Sequence, residues 1–145
     1  MGKKGGKIKN RFIKEPPVET SNLSKNEIEA FASVDYPLFG FKYLQEHSIK
    51  KCKDGKFFFD FLLRLKSLSE LGWKTIDISG RHQYGMEKIS REEIKPSIPA
   101  VVTKEVPLFV FRAKGNNLPF VGIRQGKIFQ VIFIETEFGD IYDHE

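Results

Sequence analysis

The 145-residue chain has one cysteine, one tryptophan, two methionines and three histidines. With Cys52 alone, no intramolecular disulfide and no cysteine-based zinc site can form, so a reduced, cytoplasmic setting is the expectation. His47, His82 and His144 are scattered and show none of the close His/His or His/acid spacing that marks a metal site, so neither a metal nor another cofactor is expected. A glycine-rich phosphate loop and a nucleophile elbow are both missing. No apolar run is long enough to span a bilayer, and the cationic N-terminus lacks the apolar stretch of a secretory signal, which predicts a soluble chain with no membrane span.

What is present describes one folding unit. Hydrophobic residues make up 40% and charged residues 30%, a balance that excludes wholesale disorder and lets a chain of this length bury a core of its own. Fourteen Phe supply most of that core. The formal charge is +5, yet residues 1–14 carry Lys3, Lys4, Lys7, Lys9, Arg11 and Lys14 with no acid; removing those six leaves −1 for the remainder. Basicity therefore belongs to the N-terminus. Rich in Gly and Lys, residues 1–20 read as a disordered basic arm able to bind nucleic acid or an anionic surface by counterion release, or simply to keep the chain soluble. Residues 21–145 read as a single α+β domain.

Within that domain, Ser24 and Glu27 form a capping box, with Leu23 and Ile28 as a hydrophobic staple, which predicts a helix to about Val34 with Ile28, Phe31 and Ala32 inward. Residues 36–56 lack a sustained period and read as a short strand or turn around residues 39–44 followed by a loop. There Lys42, Lys50, Lys51, Lys53 and Lys56 alternate with Phe41, Tyr43 and Phe57, and Cys52 reads as a surface thiol. Phe58, Phe61, Leu62, Leu65 and Leu68 then recur at helical spacing, with Asp54 as a cap. Residues 69–78 read as a second helix or a Gly72-terminated extension; Lys74 alone is too little for a DNA-reading helix. Ser90 and Glu93 form another capping box, cut short by Pro96, and Pro96, Pro99 and Pro107 bracket an extended crossing. The last third reads as an antiparallel β-meander of three to four strands: 108–113, 120–124, 128–134, and a short final strand 141–144. The third strand is apolar on both faces, which places it inside the sheet, covered by helices on one side and by something else on the other.

Alternation puts Phe120, Gly122 and Arg124 on one face and Val121 and Ile123 on the other, with Leu108, Val110 and Arg112 forming a further set. Arg112, Arg124, Tyr142 and His144 are polar positions in apolar strands. Such groups suit phosphodiester cleavage of RNA: His144 or Tyr142 moves protons while Arg124 and Lys127 stabilise phosphoryl charge. The same side chains can equally serve as cross-strand ion pairs and core edges, with Asp140 or Asp143 as partners. Arg81 and His82 form a second polar cluster in a loop. Nucleic-acid contacts would then fall to the basic arm together with Arg81, His82 and Arg112.

The run Phe111-Arg112, Val121-Gly122-Ile123-Arg124, Phe129 to Ile134 and Ile141-Tyr142 resembles the meander of RelE/ParE-like toxins. That resemblance implies two helices on an antiparallel sheet, a toxin-antitoxin system with an antitoxin protein as partner and, in the RelE branch, ribosome-dependent endoribonuclease activity. On it, Arg124 and Tyr142 match functional positions, with Lys127 and His144 nearby. A ParE-type member would act on gyrase instead. The alternative is a non-enzymatic accessory protein that uses its basic arm to bind nucleic acid or a protein partner.

Overall fold

A computed structural model describes residues 24–79, 85–111 and 119–144. Among the described residues are four α-helices, one 3-10 turn and five strands, and several of the helical elements begin at a side chain that caps the first turn. Helix α1, Lys25–Ala32, opens on the capping box: the Ser24 amide donates to Glu27 Oε2 at 3.1 Å and the Glu27 amide donates to Ser24 Oγ at 3.2 Å. These bonds, the Ser24 amide first, hold the Glu27 carboxyl below its ordinary pKa. Of the three residues predicted inward on α1, the Phe31 side chain lies outside the described residues, and the other two are not buried. Ile28 is 36% exposed and Ala32 is exposed; the helix stops at Ala32, whose carbonyl accepts from the Lys127 ammonium, so α1 is fastened at its C-terminal end.

A three-residue strand β1, Leu38–Gly40, leads to a short helix α2, His47–Lys51, in the stretch expected to be a loop. Helix α3, Gly55–Leu71, starts where Asp54 accepts from the Lys56 amide at 3.0 Å. It ends at Gly72, whose φ of 85° suits glycine, and a Cβ there would stand 3.1 Å from the Asp35 carbonyl oxygen. Helix α4, Trp73–Ile78, follows at once. Phe61, Leu65 and Leu68 of α3 are buried as the spacing predicts, but Leu62 is 63% exposed, because an α-helix resting on a flat sheet buries a narrower stripe than the apolar residues of α3 occupy.

Strands β2 (Met86–Ile89), β3 (Leu108–Phe111), β4 (Phe120–Gln125) and β5 (Ile128–Ile134) complete one sheet in the order β1-β5-β4-β3-β2, antiparallel except for the β1/β5 pair. The sheet thus has five strands rather than three or four. The two extra ones come from before the meander, and residues 141–144 form no strand. The capping box at Ser90 initiates only a 3-10 turn, Arg91–Glu93.

A bulge organises the sheet's two faces. Val121 pairs with Phe133 and Gly122 with Val131, so Ile132 is the extra residue and the inside-outside alternation of β5 changes phase there. Phe129, Val131 and Ile134 consequently face α3 and α4, whereas Ile132 and Phe133 face away. Only glycine fits at 122, since a Cβ would lie 2.0 Å from the Gln130 carbonyl oxygen. On the helix side Phe111, Phe120 and Phe129 pack with ring centroids 4.9–5.7 Å apart, and Phe61 of α3 meets Phe120 edge-on at 5.4 Å. On the far side the proline-bracketed stretch does more than cross. Ile94, Val102 and Val106 cover Val110, Val121 and Ile123, and Arg91 Nη1 staples the stretch by donating to the Val102 and Thr103 carbonyls at 3.0 Å each. No helix among the described residues is long and apolar enough to cross a membrane.

Candidate functional site

At the turn end of β4 and β5, Arg124 leans toward α4. Its guanidinium lies 3.7 Å from the centre of the Trp73 ring, Nη1 donates to Asp77 Oδ1 at 3.0 Å, and Nε donates to the Gly126 carbonyl at 3.1 Å. The face is the one alternation assigns; the partner is Asp77, not Asp140 or Asp143. Lys127 serves the same junction. Its carbonyl accepts from Trp73 Nε1 and from the Leu38 amide, both at 3.0 Å, and its ammonium reaches the Ala32 carbonyl. The two residues thus join the hairpin to α1 and α4 through their side chains and to β1 through the Lys127 carbonyl.

At the opposite end, the chain leaving β5 folds back on a buried carboxylate. Glu135 Oε2 accepts from the Gly139 amide at 3.1 Å and the Ile141 amide at 3.2 Å, while Oε1 meets His144 Nε2 at 2.5 Å. The His144 ring is held between Phe138 and Tyr142, with centroids 4.2 and 4.3 Å away and planes within 28° of parallel. Tyr142 is 1% exposed, and the His144 side chain only 9%. Lys95 closes the turn from outside: its amide donates to the Ile141 carbonyl, and its ammonium donates to the Gly139 carbonyl and pairs with Asp143 at 2.7 Å. Two backbone donors and the His144 ring satisfy the buried carboxyl group and offset its desolvation, and they fix residues 135–144 without strand pairing.

Arg64 of α3 belongs to this end as well. Its guanidinium sits 5.3 Å from the Phe120 ring centre, and burial pushes its pKa down to about 10, against a smaller opposing effect of Tyr142. Neither Arg64 nor Glu135 stands out in the sequence. Arg64 lies one helical turn from Phe61, at the border of the buried stripe, and Glu135 abuts a seven-residue apolar strand. That adjacency is the one signal that could have marked Glu135 as a buried anchor.

The structure therefore brings Tyr142 and His144 together but separates them from Arg124 and Lys127. Phe120 pairs with Ile134, next to Glu135, whereas Arg124 pairs with Phe129. At about 3.4 Å per residue, the step from Arg124 to Phe120 spans about 14 Å of strand. The faces differ too, since Arg124 packs on α4 and Tyr142 belongs to the core on the other side of the sheet. The shared surface of guanidinium, phenol and imidazole that a cleavage site at Arg124 requires is absent. Lys3, Lys4, Lys7, Lys9, Arg11, Arg81, His82 and Arg112 lie outside the described residues. In the second basic stretch, Lys50, Lys51 and Lys56 pair with Glu46, Glu137 and Asp60, and Lys42 lies over the Tyr43 ring. Among the described residues no group of three or more His, Cys, Asp and Glu side chains is arranged to hold a metal ion. Compared with protein families, curated proteins and solved structures, the chain matches none.

Proposed function

We propose that this protein is a non-enzymatic nucleic-acid-binding protein whose cationic residues 1–14 engage the phosphate backbone of RNA. The observation that carries this reading is the charge asymmetry: six cations and no acid in residues 1–14, against −1 for everything after them. Releasing counterions from a polyanion needs no more than such a cluster. Further support comes from the fate of the other polar side chains. Arg124 and Lys127 are committed to joining the hairpin to the helices, and Tyr142 and His144 to packing around Glu135.

The 2.5 Å contact of Glu135 with His144 favours a second reading, RelE-type cleavage of RNA, with a ribosome-bound substrate and an antitoxin partner. A carboxylate-oriented imidazole is the usual general base, and in this reading His144 takes the 2′-hydroxyl proton as that oxygen attacks phosphorus. The 5′-oxygen leaves and takes a proton from water, and Arg64 replaces Arg124 beside the phosphoryl oxygens. The burial of His144 and Tyr142 weighs against it, because a phosphodiester must reach the base directly.

One experiment separates the two. Labelled single-stranded RNA is incubated with the full chain, with His144→Ala and with a Lys3, Lys4, Lys7 and Lys9→Glu variant, then followed by anisotropy and by length on a denaturing gel. The binding reading predicts intact RNA throughout, unchanged affinity for folded His144→Ala, and at least tenfold weaker binding by the charge-reversed variant. RNA shortened by the full chain but not by folded His144→Ala would replace it with the second reading.

A further inference from the structure

We draw no further inference here: the strongest candidate, the surface patch of exposed apolar side chains Phe59, Leu62 and Leu63 on the outer side of α3, carries nothing because no observation in the structure shows what covers it.

Discussion

Arg124 carries more structural duty than its place in a surface hairpin suggests. Its guanidinium stacks on Trp73 and pairs with Asp77 at once, a combination that lysine cannot reproduce, having a point charge and no plane. Arg124→Lys is therefore expected to lower stability by about 1 kcal/mol and to shift the fluorescence of Trp73, while RNA affinity stays the same. Denaturant titration followed by tryptophan emission checks both, since Trp73 is the sole tryptophan. Glu135 is the more demanding residue. Glu135→Ala leaves the Gly139 and Ile141 amides without their acceptor inside the protein and is expected to cost about 3 kcal/mol; Glu135→Gln, which keeps one acceptor oxygen, costs less. Equilibrium unfolding midpoints of the two variants measure the difference. Sequence alternation alone gives the face of Arg124 correctly. It does not give the partner, because Asp77 lies 47 residues away and the contact depends on how α4 is docked.

The capping boxes, at the level of whole elements, are local chemistry and were fully readable. Ser24 with Glu27 and Ser90 with Glu93 both form, because each involves only four consecutive residues. The Glu27 box also has a pH signature. Its carboxyl is held below the ordinary pKa by hydrogen bonds in the folded chain, so its contribution is present above the unfolded value and is lost as pH falls through the folded one. The N-terminal turn of α1 is expected to loosen on acidification from neutral to about pH 3, seen as faster exchange of the Glu27 amide, before the sheet unfolds. Strand β5 was legible for another reason: seven residues, nearly all apolar, have room on both sides only inside a sheet. Elements whose identity rests on a distant partner were not. Strand β1 has three residues and exists by pairing with β5, β2 sets two adjacent charges, Glu87 and Lys88, between Met86 and Ile89 and so shows no strand alternation, and α2 is a five-residue turn of helix. The phase change at Ile132 belongs to this group. Nothing in Val131-Ile132-Phe133 marks an extra residue until Gly122 is seen to press against Gln130. Residues 141–144 look like strand by composition, yet the Ile141 amide donates to Glu135 and its carbonyl accepts from the Lys95 amide, so its backbone is satisfied without a neighbouring strand.

On the scale of the molecule, a sheet with both faces covered holds the two candidate ends apart. Among the described residues the outer side of α3 stays exposed, and the sequence places six cations and no acid in residues 1–14. The binding account places affinity in the second of these. Its most direct test is the salt dependence of binding to single-stranded RNA, measured for the full chain and for a chain lacking residues 1–14. Six neutralised phosphates predict a slope of about −4 in log K against log salt for the full chain, and deletion is expected to bring both affinity and slope close to zero. An equally steep slope and undiminished affinity after deletion would contradict it.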